Sequence, residues 1–181
     1  MDLHLLLPED RMTRINTISP MDLLDQHLFA EWRELPRIFA LARYWSDSGE
    51  RSKIPDSYRL GAGHVRFFYD KLQWLAYRHA ILTSELLARG YKLGSYDEQR
   101  EYLKWLKAEY PQLWNGWEPS PADHRINLQR LQAKLEAKPD FYTQKKRRAC
   151  PKHYEGRWMW WYRVTDKSRE LLQQPAKDIN P

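Results

Sequence analysis

The chain has 181 residues, with 30 Lys and Arg against 24 Asp and Glu, for a formal net charge of +6. Its one cysteine, Cys150, excludes an internal disulfide framework and a cysteine-rich zinc site, and fits a reducing cytoplasm. No apolar run approaches the roughly 18 residues of a membrane span, so the basic surplus points to nucleic acid rather than a lipid surface.

Residues 1–11 differ in character from the rest of the chain. An apolar run from Leu3 to Leu7 precedes Pro8-Glu9-Asp10-Arg11, without the basic n-region or small-residue cleavage site of a secretory signal. Ser19-Pro20 predicts the opening of the first helix, with Ser19 as N-cap, Pro20 at the first helical position and Asp22 in the first turn. Met21, Leu24, Leu28 and Leu35 form its expected buried stripe. Gln26, Arg33, Glu34 and Arg37 fall on or beside the polar face, with His27 and Glu31 near its edge. Pro36 should end or kink this helix at Leu35, because proline lacks an N–H and restricts the residue before it. Ile38 to Trp45 continues as a second helical stretch, and residues 46–49 read as a loop.

Leu60-Gly61-Ala62-Gly63-His64 is a glycine turn that launches a long helix. Val65, Phe68, Leu72, Leu75, His79, Leu82 and Leu86 share one face of it, and Gly90 is a natural stop. The glycines are no dinucleotide fingerprint, since no strand precedes them and the third glycine is missing. A further helix is expected from Ser95 to about Ala108. Ser120-Pro121 opens another, with Leu128, Leu131 and Leu135 as its stripe and Pro139 as its end. Beyond it runs a basic, aromatic tail, from Lys145-Lys146-Arg147-Arg148 to Trp158-Met159-Trp160-Trp161-Tyr162. Strand signals are scarce. The expectation is an all-α fold, a single compact domain of packed helices of unequal length, with a basic aromatic C-terminal extension.

Two blocks carry a resemblance. Thr13-Arg14-Ile15-Asn16 is followed by Gln26-His27-Leu28-Phe29-Ala30-Glu31-Trp32-Arg33-Glu34-Leu35-Pro36-Arg37, and later by Leu60-Gly61-Ala62-Gly63-His64-Val65-Arg66-Phe67-Phe68-Tyr69-Asp70-Lys71-Leu72. Together they closely resemble the pyrimidine-dimer DNA glycosylases of the phage-type endonuclease V family, over residues 12 to about 90. Residues 121–142 resemble the family more loosely, through Gln129-Arg130-Leu131, Lys134 and Pro139. On that basis the chain divides into an upstream extension 1–11, a glycosylase-like helical domain 12–142 and an extension 143–181.

The resemblance implies an enzyme that cleaves the glycosidic bond of a UV-damaged pyrimidine and then breaks the strand at the abasic site by β-elimination. It places the amine nucleophile on Thr13 and the catalytic carboxylate on Glu34. DNA-contacting positions fall on Arg14, Gln26, His27, Arg33, Arg37, Arg130 and Lys134, with Phe141 and Tyr142 where the family has aromatic residues near the damage. It implies no cofactor and no metal, and a monomer acting in the cytoplasm on damaged double-stranded DNA.

The chemistry suits these groups. An imine-forming enzyme needs an unprotonated amine, and an α-amine has a pKa of about 7.7–8.0 against about 10.4 for lysine, so about a tenth is neutral at pH 7. A neighbouring carboxylate can stabilise cationic character at the sugar and shuttle the C2′ proton. In the sequence as it stands, however, Thr13 is internal. Met12-Thr13 has the form of a start, since removal of Met before a small residue exposes Thr13. The codons of Glu9 and Asp10 can also read GAGGA, a ribosome-binding sequence. Residues 1–11 are therefore expected to reflect an upstream start assignment; if they are retained, the alternative is a helical DNA-binding module without imine chemistry.

Several residues keep a plainer reading as well. His27 suits a core or capping histidine, and Arg33 with Arg37 an exposed i, i+4 pair. Arg130 and Lys134 suit a solvated face, and Trp158, Trp160 and Trp161 ordinary packing.

Overall fold

The computed structural model describes residues 15–49, 53–94 and 97–144. It is all-α: α1 spans Asp25–Glu34, α2 Pro36–Asp47, α3 Leu72–Ala88, α4 Asp97–Glu109 and α5 Pro121–Ala137. Short 3₁₀ turns lie at Pro20–Asp22, Arg66–Phe68, Pro111–Leu113 and Pro139–Phe141. Among the described residues there is no β-strand, only an isolated bridge between Lys71 and Trp114.

α3 is the central element. Leu72, Leu75, Leu82 and Leu86 recur at helical spacing and are fully buried, packed with Leu28 and Leu35 of the α1 region and Phe39 of α2. Beside them Phe67, Phe68 and Trp74 meet Trp117 at ring separations of 5.1, 5.5 and 4.9 Å, which seats the segment before α5 on α3. Gly90 closes α3 with φ +80, in a left-handed conformation that a side chain would disfavour. Gly63, at φ +84, has a second constraint, because a Cβ there would stand 3.2 Å from Pro55 Cγ.

The first helix departs from expectation. Ser19 does cap a helical turn, accepting from the Met21 N–H at 3.3 Å, but that turn is 3₁₀ and ends at Asp22. Leu23 and Leu24 are extended, and the α-helix proper begins at Asp25. The break rotates the stripe: Leu23 is fully buried, while Met21 and Leu24 are only partly so. α1 has no side-chain cap; instead the Thr143 carbonyl accepts from the Asp25 N–H at 2.8 Å. A cap supplied from 118 residues away leaves no local signal.

Pro36 opens the second helix at its first position. Leu35 keeps helical angles and joins α1 to α2, which runs on through Ser46 and Asp47, two residues beyond the expected loop boundary. The glycine turn launches Arg66–Phe68 first, and Lys71, at φ −124 and ψ 36, interrupts the chain before α3. α5 begins as expected, with Ser120 and Asp123 in a reciprocal capping box. Its buried stripe is His124, Asn127 and Leu131, with Leu128 and Leu135 at the margin.

Candidate active site and DNA-facing surface

His27, Glu31 and Glu34 lie at i, i+4 and i+7 on α1 and therefore on one stripe, about 10 Å long by helical rise. Their environments differ. Glu31, expected at the edge of the polar face, is instead fully buried. It receives Arg78 Nε and Nη2 from α3, each at 2.9 Å, in a two-pronged ion pair. Glu31 lies four residues before Leu35 and three after Leu28, and Arg78 three after Leu75, so both occupy apolar faces. Such residues inside a buried stripe were the readable signal.

The carboxylate of Glu31 also holds the beginning of the described chain. Asn16 donates its backbone N–H to Glu31 Oε1 at 2.9 Å and its Nδ2 to Oε2 at 3.0 Å. Arg130 Nη2 of α5 in turn donates to Asn16 Oδ1. Arg130 is thus partly drawn into the protein, rather than projecting as a free cation.

Glu34, one turn beyond Glu31, reaches the surface. Its side chain is 17% exposed, between Arg33 Nε at 3.2 Å and Arg37 Nη1 at 2.5 Å, whose side chains are 75% and 60% exposed. Exposed ion pairs of this kind add about 0–1 kcal/mol. The two guanidiniums are therefore easily redirected, and each keeps further donors for an anion.

At the other end of the stripe, His27 packs on Tyr142 with centroids 4.5 Å apart. Burial, and then the positive charges of Lys134 and Arg130, lower its pKa to about 4. Near neutral pH it is an uncharged ring and not a cationic phosphate ligand. Gln26 grips the chain beyond α5: Nε2 donates to the Phe141 carbonyl at 2.9 Å, and Oε1 accepts from the Thr143 N–H at 2.9 Å. Thr143 and Gln144 add bonds to Asp25 and to the Met21 carbonyl. Phe141 is exposed, and Lys134 projects from α5.

The structure therefore gathers Gln26, His27, Arg130, Lys134, Phe141 and Tyr142 around the start of α1, and Arg33, Glu34 and Arg37 around its end. Thr13 and Arg14 lie outside the described residues, as do residues 1–11 and the tail from Lys145. Missed by sequence reasoning were Asn16, itself bonded to Glu31, and the buried polar groups His64, Tyr58, Arg78 and Asn127, which hydrogen-bond to residues 15, 17 and 18 from three other segments. Only their appearance within apolar stretches could have marked them.

An all-α domain with a surface carboxylate between two arginines and a second basic, aromatic cluster is an arrangement able to meet a polyanion. The family model described as pyrimidine dimer DNA glycosylase matches residues 12–99, and this part of the chain belongs to that family. The class is that of DNA-repair glycosylases acting on UV-damaged pyrimidines, with damaged DNA as the partner. No helix among the described residues is long and apolar enough to cross a membrane.

Proposed function

We propose that the protein excises pyrimidine dimers through an imine formed by the α-amine of Thr13, and then cuts the strand as an AP lyase. The observation that supports this reading is the succession Asn16–Glu31–Glu34. Asn16 is bound to Glu31, and Glu34 stands three residues on, about 4.5 Å along the helix axis. Thr13 is two residues from Ile15, so its amine lies within about 7 Å of the Ile15 nitrogen whatever path the chain takes. These links support a nucleophile and a carboxylate that act in one neighbourhood.

The neutral amine attacks C1′; the N–C1′ bond forms, the glycosidic bond breaks, and the pyrimidine leaves with the bonding pair and takes up a proton. The new N–H₂⁺ loses a proton, and the C1′–O4′ bond opens with O4′ taking the bonding pair and that proton, which gives the protonated imine. Removal of a C2′ proton then forms the C2′–C3′ double bond and expels the 3′ phosphate. Glu34 stabilises the cationic sugar and imine and carries the C2′ proton. A lesion held in duplex must be unstacked, at a cost of a few kcal/mol, about the scale phosphate contacts can supply. Arg14, Arg33, Arg37 and Lys134 are the proposed phosphate ligands, with Gln26, His27 and Arg130 shaping the same face and Phe141 and Tyr142 beside the damage. The reading needs no metal or cofactor and has a monomer working in the cytoplasm.

Borohydride trapping on abasic and dimer-containing duplexes tests it. Protein begun at Met12 and processed to Thr13 should give a covalent adduct, and protein retaining residues 1–11 should not. Equal trapping by both forms without proteolytic trimming would move the chemistry to a lysine. No trapping by either would leave a helical DNA-binding module.

A further inference from the structure

We propose that His64, Tyr58 and Glu31 are positioning residues that clamp the backbone of Ile15 and Asn16, and thereby set where the Thr13 amine can reach; the inference rests on the proposed function. The Ile15 N–H donates to His64 Nε2 at 2.9 Å. His64 Nδ1 lies 2.7 Å from the Arg59 carbonyl, which can only accept. Nδ1 therefore carries the proton and Nε2 is free to accept, as the Ile15 bond requires. The Ile15 carbonyl accepts from the Tyr58 hydroxyl at 2.9 Å, and that hydroxyl accepts from Asn127 Nδ2 at 2.8 Å. One residue is thus held by both its N–H and its C=O, from a segment 43–49 residues away.

The next residues are held as firmly. Asn16 is bound through backbone and side chain to Glu31, Thr17 Oγ1 accepts from Asn127 Nδ2 at 3.2 Å, and the Ile18 carbonyl accepts from Arg78 Nη1 at 2.7 Å. Burial of Ile15 and Ile18 alone would keep this segment on the core, since apolar contact is non-directional. It would not fix register or rotation. The directional bonds do, and they do so two residues from the nucleophile, where a misplacement of about 1 Å can cost on the order of 10²-fold in rate.

The test uses Thr13-terminal protein and single-turnover trapping at saturating abasic duplex, with the adduct mapped to its residue, alongside duplex affinity and thermal melting. A glycine inserted between Thr13 and Arg14 leaves every clamp bond and Arg14 in place and moves only the amine. It should lower the trapping rate on the order of 10²-fold, with affinity and melting unchanged. His64→Ala should slow trapping about tenfold or more at unchanged affinity. His64→Gln, whose amide oxygen can accept from the Ile15 N–H, should recover part of the loss. Wild-type trapping rates in the insertion variant, or in a folded His64→Ala protein, would overturn the clamp. If His64→Ala fails to fold, the insertion variant decides alone. Wild-type protein that yields no adduct at Thr13 removes the underlying reading, and the clamp with it.

Discussion

At Glu34 the charge and the hydrogen bonds can be separated. Glu34→Gln keeps the volume and one acceptor for Arg33 or Arg37, but removes the negative charge that opposes a cationic sugar and imine. Because those ion pairs are exposed, folding should barely change, and duplex binding should remain close to wild type. Glycosylase turnover should fall by about 10²-fold or more, the scale of a positioned acid–base group. Near-normal turnover at pH 7 would take Glu34 out of the mechanism. A second residue sets the response to acid. His79 is 1% exposed, stacked on Trp32, and donates Nε2–H to the Trp32 carbonyl at 3.0 Å. Burial lowers its pKa to about 4, against 6.5 ordinarily. Between those values the unfolded chain binds the proton and the folded one does not. Stability is therefore complete above about pH 6.5, declines as pH falls towards 4, and levels off below, by about 3 kcal/mol at most from this residue. His27 adds to the same decline, reduced because its ring is only half-buried. Melting curves from pH 7 to 4 should show the loss, and His79→Gln should flatten it.

Between elements, the decisive links are polar and lie where the sequence reads as apolar. α1 is joined to α3 by Glu31 and Arg78, both fully buried. Glu31→Gln leaves the guanidinium of Arg78 buried without its counter-charge, and should cost about 3–5 kcal/mol in denaturant unfolding. A loss under about 1 kcal/mol would mean that water or another acid compensates. α5 presents a contrast one turn apart. Lys134 is exposed, so Lys134→Ala should weaken damaged and undamaged duplex alike and flatten the slope of log affinity against log salt by about one unit. Arg130 donates to Asn16, so Arg130→Ala should also lower the melting temperature; equal melting of the two variants would show that the Asn16 bond contributes little. Helical periodicity and local turn residues made the body of α3, the break at Pro36 and the Ser120 cap legible, because each depends on residues within a turn or two of one another, although α3 itself starts only at Leu72. The same patterns misplaced the start of α1, since its cap comes from Thr143. They also left Glu31 at an edge and Asn16 unremarked, because pairing with Arg78 and Arg130 depends on segments that only the folded chain brings together. Glu34, Arg33 and Arg37 were legible through the resemblance; spacing alone would have made them an ordinary charged face.

Over the whole molecule, charge is divided unevenly. Residues 1–144 carry twenty Lys and Arg and twenty Asp and Glu, whereas residues 145–181 carry ten against four. The C-terminal tail thus carries a net charge of +6, whereas residues 12–144, with the candidate site, hold nineteen Lys and Arg against seventeen Asp and Glu and are only +2. So weakly charged a domain can engage phosphates locally through Arg33, Arg37 and Lys134 but has little long-range field to draw in duplex DNA. From Lys145 to Lys167, eight basic residues stand against Glu155 and Asp166, with Trp158, Trp160, Trp161 and Tyr162 among them. Cations follow a phosphate backbone, and aromatic side chains stack on exposed bases. The bonds from Asp25 and Gln26 to residues 141–143, and from Gln144 to Met21, all lie upstream of Lys145, so a chain ending there keeps them. Such a protein should melt as a folded helical domain and still trap abasic DNA at saturating concentration. Its duplex affinity should be lower, and the slope of log affinity against log salt shallower by several units, about 0.9 for each phosphate no longer neutralised. Melting and salt-dependent binding decide the point. If truncation unfolds the domain, the tail tryptophans belong to the core; if folding, affinity and slope all persist, the tail serves a partner other than DNA.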